Sequence, residues 1–147
     1  MKYLVRICML LVLVVVLQAC QGKVASNEEG EALALKYVTA VNNSKYEEAF
    51  ALVSDDFFNR FPKDMRIEYY DKIKEIMGPI VSMKLSNSLV DDRFSGRFYM
   101  FQYSFKHENG ITTEMVTMVQ KINSKDPLKV FGHKVESSKL KKLNSQY

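Results

Sequence analysis

The chain has 147 residues and carries 21 Lys and Arg against 17 Asp and Glu, a formal net charge of +4. Lys2 and Arg6 lie in an N-terminal leader, and without it 19 basic residues stand against 17 acidic ones, a net charge of +2. A charge this close to balance excludes the electrostatic basis for a nucleic-acid-binding protein. About 120 residues remain after the leader and a polar tether, which is enough for one compact domain and too few for two.

The first twenty residues have the pattern of an export signal. Lys2 and Arg6 precede an apolar run, and residues 17–20 (Leu-Gln-Ala-Cys) resemble a bacterial lipobox. The resemblance implies that residues 1–19 are a signal peptide and that cleavage leaves Cys20 as the first residue, with a palmitate-containing lipid anchor on its sulfur. A signal anchor that spans the membrane is the alternative, but about 14 residues separate Arg6 from Cys20, whereas a span needs roughly 20.

Lipidation at Cys20 determines where the domain is expected to lie. The lipidated cysteine and tether, residues 20–27, reach at most about 25 Å, so the domain stays close to the membrane whose lipid anchors it. Gln21 resembles the class of lipoproteins sorted to the outer membrane, which in a Gram-negative cell would face the periplasm. Because Cys8 leaves with the leader, the mature chain cannot form a disulfide and depends on its core for stability.

Three helices are predicted in the first half of the domain. Apolar residues recur at helical spacing over residues 31–41, which predicts the first helix. Ser44 and Glu47 have the spacing of a capping box, which predicts a second helix with an apolar stripe over residues 46–57. A third helix over residues 62–77 begins at a proline and ends at a glycine followed by a proline.

From residue 80 the apolar period changes from 3.6 to 2, which predicts strands. The four strands cover residues 80–89, 94–107, 111–122 and 128–135, with turns at residues 91–93, 109–110 and 123–127. This order predicts an α+β domain in which three N-terminal helices pack on a four-stranded antiparallel meander sheet. The domain spans residues 28–137. Residues 138–147 are predicted to be a basic flexible tail, with contact to anionic lipid head groups as the alternative.

The Asn109-Gly110 turn predicts which residues pair across the central hairpin. A two-residue loop at these positions places residue 108 opposite residue 111 and Phe105 opposite Glu114. One face of the hairpin then carries Arg97, Tyr99, Phe101, Tyr103, Phe105 and Glu114. We expect the helices to cover this aromatic face, because the other face is more polar, and we expect His107 to be exposed beside the turn.

Glu114 lies on this largely apolar face, where burying an unpaired carboxylate would be costly or would raise its pKa. Two interpretations stay open. In the first, Glu114 is a polar hook for a ligand in a pocket between helices and sheet, and the candidate ligand-binding residues are Glu114, Arg97, Tyr99, Phe101 and Tyr103. In the second, Glu114 lies at the end of the sheet, solvated or paired diagonally with Lys106.

The order of a lipidated cysteine, a helical first half and an antiparallel second half resembles small bacterial lipoproteins of the nuclear transport factor 2-like, cystatin-like superfamily. The resemblance covers about residues 28–136 and rests on the helix over residues 46–53, on Met77-Gly78 before the first strand, and on Glu114 in the strand after the hairpin. It implies a cone-shaped cavity between helices and sheet. Members of this superfamily include enzymes, dimerising scaffolds and ligand binders, so the resemblance does not select a function.

No catalytic, metal-binding or phosphate-binding motif is present in the sequence, so we expect no enzymatic activity, no cofactor and no metal site. Two function classes stay open. The domain is either a non-catalytic interaction module or a binder of a small apolar or amphipathic molecule in the cavity. The module would dock onto an unknown envelope protein, or form a homodimer, through an open sheet face that carries Met100, Met115 and Val119.

Overall fold

The computed structural model describes residues 24–121 and 126–147. The predicted signal peptide, residues 1–19, and the predicted lipidation site Cys20 lie outside the described residues. In the described part, helical segments lie both before and after one four-stranded antiparallel sheet. The α+β class and the antiparallel sheet are therefore confirmed, whereas the expectation that all helices precede the sheet is wrong.

Helix α1 (Asn27–Asn42) begins before the predicted residue 31, because a capping box stabilises its first turn. The Ser26 hydroxyl accepts a hydrogen bond from the Glu29 backbone N–H (3.2 Å), and the Glu29 carboxylate accepts one from the Ser26 backbone N–H (2.8 Å). Further along the helix, a Cβ atom at Gly30 would come within 3.2 Å of the Tyr99 and Phe101 rings. The missing side chain lets α1 lie directly on the aromatic face of the sheet.

Helix α2 (Tyr46–Phe50) is short, and the predicted long stripe continues as a separate 3₁₀ turn (Asp55–Phe58). The predicted capping box at Ser44 does not form. Ser44 has a positive φ of 58°, and its hydroxyl accepts a hydrogen bond from the Lys74 ammonium group at 2.7 Å. The apolar side chains of the stripe are nevertheless buried: Ala49, Phe50, Val53 and Phe57.

Helix α3 (Lys63–Met77) matches the predicted third helix. Pro62 occupies the position before its first turn, and Gly78 follows its last turn with a φ of 72°, a conformation that favours glycine. One face of the helix is buried through Tyr69, Tyr70, Ile73 and Met77. This face forms one wall of the space between helices and sheet.

The sheet contains β1 (Ile80–Arg93), β2 (Gly96–His107), β3 (Gly110–Gln120) and β4 (Lys129–Glu136) in the order β1-β2-β3-β4. This is the predicted meander. β1 runs through the predicted turn at residues 91–93, and the chain turns instead at Phe94 and Ser95. β1 contains two register irregularities along its pairing with β2.

The turn between β2 and β3 consists of Glu108 and Asn109, so His107 pairs with Gly110 and Tyr103 with Glu114. The predicted pairing is wrong, because each residue of β2 lies opposite the β3 residue two positions before the predicted one. A shift of two leaves every side chain on its predicted face, because side chains alternate with a period of two. The cause is tertiary, because the end of α3 and the segment after it lie against the turn. The Asn109 backbone N–H donates to the Met77 carbonyl oxygen, and the Glu108 backbone N–H donates to the Pro79 carbonyl oxygen.

The segment after β4 packs against the domain. It forms a 3₁₀ turn (Ser138–Leu140) and helix α4 (Lys141–Asn144), in which Leu140 and Leu143 are buried. The Asn144 side-chain amide also donates a hydrogen bond to the Val135 carbonyl oxygen at 3.0 Å. Residues 138–147 are therefore not the solvated tail that the sequence predicts, although Lys139, Lys141 and Lys142 do face solvent.

Candidate functional site

A cavity of about 450 Å³ lies between the helices and the covered face of the sheet. The end of α1, one face of α3, the segment after α3 and the inner faces of β2, β3 and β4 form its wall. Its polar lining consists of Asn42, Asn43, Tyr70, Lys74, His107, Glu114 and His133, and its apolar lining includes Val41, Ile73, Ile80 and Val135. Polar groups from five different elements therefore converge on one space.

Glu114 lies in the wall of this cavity and is 2% exposed. Its carboxylate accepts hydrogen bonds from the Thr112 hydroxyl (3.3 Å) and from His133 Nε2 (3.1 Å). The interpretation that placed Glu114 at a solvated sheet end is wrong, because the end of α3 covers the strands up to the turn. Lys106, its suggested partner, is exposed and pairs with Ile111.

His133 connects Glu114 to two buried tyrosines. Its Nδ1 atom lies 3.0 Å from the Tyr70 hydroxyl and 3.4 Å from the Tyr37 hydroxyl, and these two hydroxyls are 2.9 Å apart. Burial raises the pKa of both tyrosines, so they stay protonated. Both ring nitrogens of His133 have a hydrogen-bond partner when Nε2–H donates to the Glu114 carboxylate and Nδ1 accepts from a tyrosine hydroxyl.

His107 extends the same chain of hydrogen bonds on the other side of Glu114. It is 5% exposed, which corrects the expectation of an exposed side chain. Its Nδ1 atom lies 3.0 Å from the Gly78 carbonyl oxygen, which only accepts, so Nδ1 carries the hydrogen. Its Nε2 atom lies 3.0 Å from the Thr112 hydroxyl. The Thr112 hydroxyl has a single hydrogen, so it donates either to His107 Nε2 or to the Glu114 carboxylate.

The other predicted ligand-binding residues do not line this cavity. Arg97 lies toward the opposite end of the hairpin and forms an ion pair with Asp92 through its Nη2 atom (2.8 Å). Tyr99 is buried and donates a hydrogen bond to the backbone of the segment before α1. Phe101 lies under α1. Tyr103 is 2% exposed, and burial raises its pKa to about 12.

Sequence reasoning missed His133 as a site residue. His133 lies two positions before the buried Val135, so the period of two in β4 is the signal that places it on the covered face. Its contact with Glu114 depends on the pairing of β4 with β3, in which His133 lies opposite Val116. No local pattern near either residue indicates that partner.

The described residues contain no group of three or more His, Cys, Asp or Glu side chains placed to hold a metal ion. They also contain no helix that is long and apolar enough to cross a membrane.

Neither a known protein family nor a characterised protein matches the sequence. Among solved structures, the fold is similar to that of the Bdellovibrio bacteriovorus protein Bd1075, with a TM-score of 0.51 and 11% sequence identity. The match covers 76% of this chain but 41% of Bd1075, so this chain spans less than half the length of that protein. Similarity at this identity shows a shared fold and does not transfer a function.

Proposed function

We propose that this protein is a lipid-anchored lipoprotein of the bacterial envelope whose nuclear transport factor 2-like domain binds a small amphipathic molecule in the cavity. The observation that carries the proposal is the buried Glu114 carboxylate, bonded to His133, in the wall of that cavity. The anchor is the lipid expected on Cys20, and an outer-membrane location facing the periplasm applies if the cell is Gram-negative.

The energetics of Glu114 and His133 support a functional site. Removing a carboxylate and an imidazole from water is costly, and two well-packed apolar side chains would stabilise the same space at least as well. Buried ionisable groups that face a cavity are accordingly typical of binding sites. The cavity volume of about 450 Å³ falls in the range of roughly 300–1,000 Å³ that is usual for small-molecule pockets.

The lining favours a ligand with an apolar body and a hydrogen-bond donor. Val41, Ile73 and Val135 provide apolar contact. A carboxylate offers about four lone-pair positions, and Glu114 uses one on each oxygen, so it can accept a further hydrogen bond from a ligand. At the same wall, Lys74 has a pKa lowered by burial.

The hydrogen bonds of His107 and His133 favour a binding site over a catalytic site. Both ring nitrogens of His107 and both ring nitrogens of His133 are engaged within the protein. Neither ring has a nitrogen free to take a proton from a substrate, as a general base must. We therefore keep the proposal to ligand binding without catalysis.

Native mass spectrometry of the gently purified protein tests the proposal. The wild-type protein should carry a small molecule of defined mass, and Glu114→Gln should lose most of it, because the amide replaces one acceptor oxygen with a donor. Ile80→Trp, at the partly exposed Ile80 in the cavity lining, should lose it by filling the space. The control is Glu136→Gln, an exposed glutamate paired with Lys134 on β4, which should retain the molecule. An empty wild-type protein, or equal retention in all variants, would contradict the proposal.

A second candidate function is an interaction module, and the exposed apolar side chains of the first hairpin favour it. Val81 and Leu89 on the edge strand β1 are 59% and 52% exposed, and Phe94 in the following turn is fully exposed. Such side chains are typical of a docking surface for an envelope protein or a second copy. Analytical ultracentrifugation over a concentration series tests the homodimer: association that Leu89→Ser weakens would support it, and a monomer at every concentration would contradict it.

A further inference from the structure

A second groove, of about 400 Å³, lies between the start of α3, the segment after β4 and the strands β3 and β4. Met115 and Thr117 line it from β3, on the side of the strand opposite to the buried Val116. Arg60 and Arg66 line it from the helical side. It adjoins the cavity around Glu114, because His133 and Val135 line both spaces, but Glu114 does not line the groove and neither arginine lines the cavity.

The four arginines of the described residues fall into two classes. Arg93 and Arg97 form ion pairs with Asp91 and Asp92. Arg60 and Arg66 have neither a carboxylate partner nor a side-chain hydrogen bond among the described residues. The two described arginines that have no carboxylate partner therefore both line this groove.

Aromatic rings hold these two guanidinium groups in place. Arg66 lies over the rings of Phe57 and Phe61, at 4.7 and 4.9 Å from their centroids, and Arg60 lies 5.1 Å from the centroid of Phe61. The Nε atom of Arg66 is buried and has no hydrogen-bond partner. A guanidinium group that is already ordered by stacking loses little freedom when an anion binds to its N–H groups.

The groove also has an apolar wall beside the charges, formed by Met65, Met115 and the ring of Tyr147. The N–H groups of a guanidinium match the geometry of a carboxylate or phosphate, and the methionine and tyrosine side chains match an apolar or aromatic body. We infer that this groove is a second binding site, which takes a small organic anion: a carboxylate or phosphate carried on an apolar or aromatic group.

The test uses protein purified from cells that express the full-length gene and held in a non-ionic detergent. Phenyl phosphate, benzoate and the neutral analogue benzamide are titrated into it, and heteronuclear NMR follows the backbone amide signals. Both anions should shift the signals of residues 132–134 and 144–147 to saturation, and benzamide should bind at least ten-fold more weakly. Arg66→Met and Arg60→Met should each weaken anion binding at least ten-fold.

Arg93→Met is the matched control, because Arg93 also lies over an aromatic ring, that of Phe98, but is paired with Asp91. This variant should bind the anions as the wild-type protein does. Arg60 is exposed, so Arg60→Met keeps the test valid if Arg66→Met does not fold. Equal binding of benzamide, no saturable binding of either anion, or anion binding that is unchanged in Arg60→Met would overturn the inference.

Vesicles distinguish the two sources of such an anion. Competition between phenyl phosphate and phosphatidylglycerol vesicles, but not phosphatidylcholine vesicles, would assign the site to an anionic lipid head group. Binding of phenyl phosphate without such competition would assign it to a soluble anion, and either result supports the site. The Arg60 and Arg66 variants test this groove alone, because neither arginine lines the Glu114 cavity, so the two proposals stand or fall separately.

Discussion

Replacing Glu114 and His133 by leucine, singly and together, measures how strongly the buried pair acts as a unit. In Glu114→Leu, His133 Nε2 loses its hydrogen-bond partner, while the Thr112 hydroxyl keeps its hydrogen bond with His107 Nε2 (3.0 Å). In His133→Leu, the carboxylate loses its imidazole and keeps only the Thr112 hydroxyl. Removing one partner of a buried hydrogen bond leaves the other partner unsatisfied, which typically costs about 1–3 kcal/mol of the free energy of unfolding, and more for a charged group.

In the double variant, every described side chain that bonds to Glu114 or His133 keeps another hydrogen-bond partner. The Tyr37 and Tyr70 hydroxyls keep the hydrogen bond between them (2.9 Å), and the Thr112 hydroxyl keeps its hydrogen bond with His107. Apolar replacement of a complete buried pair is often nearly neutral. We therefore expect a loss of about 3 kcal/mol for each single variant and of less than about 1 kcal/mol for the double variant, in place of the roughly 6 kcal/mol expected for independent sites.

Urea unfolding followed by circular dichroism gives the free energy of unfolding for all four proteins of this cycle. A loss of about 3 kcal/mol is a large part of the 5–15 kcal/mol that is usual for a domain, so it is easily resolved. Glu136→Leu, at an exposed glutamate, is the control and should change stability by less than about 0.5 kcal/mol. Additivity of the two single variants within about 0.5 kcal/mol would refute the reasoning, because it would mean that Glu114 and His133 do not depend on each other.

Three further predictions concern single positions. Tyr103→Phe removes a buried hydroxyl that has no hydrogen-bond partner among the described residues, and should stabilise the domain by up to about 1 kcal/mol in urea unfolding. Burial raises the pKa of Tyr103 from 10.0 to about 12, so the free energy of unfolding of the wild-type protein should decline as the pH rises from 10.0 toward 12. Tyr103→Phe should flatten that alkaline decline. Gly78→Ala should cost about 1–3 kcal/mol in the same assay, because φ is 72° and ψ is −175°, a region that is nearly restricted to glycine. Cys20→Ser should abolish lipid attachment, measured by labelling with an azido-palmitate and by the intact mass of the mature chain.

Each of these predictions has a control or a contradicting result. Tyr70→Phe removes a hydroxyl that does have partners and should cost about 1 kcal/mol, so equal effects at Tyr70 and Tyr103 would argue against the account of the unpaired hydroxyl. Gly132→Ala is the control for Gly78, since a Cβ atom at Gly132 meets nothing within 4 Å. Palmitate labelling that persists in Cys20→Ser would show that the anchor is attached elsewhere or absent from this position.

The sequence by itself determined the elements whose signals are local. The third helix follows from apolar residues at helical spacing and from Gly78 before a proline, and the structure ends that helix at Met77. The aromatic face of β2 follows from a period of two, and Tyr99 to Phe105 are buried on alternate positions as predicted. Such patterns can be read without knowing what packs against them, because each depends on the geometry of its own element. The lipobox at Cys20 is equally local and stays a prediction.

The tertiary structure decided the central turn, the capping of α2 and the composition of the site. The carbonyl oxygens of Met77 and Pro79 accept hydrogen bonds from the backbone of the turn, and Lys74 donates a hydrogen bond to the Ser44 hydroxyl, which was predicted to cap α2. Glu114 bonds to His133 only because β4 brings that residue to it from 19 positions further along the chain. Contacts of this kind depend on how helices and strands pack in space, and no spacing along the chain encodes a partner on another element.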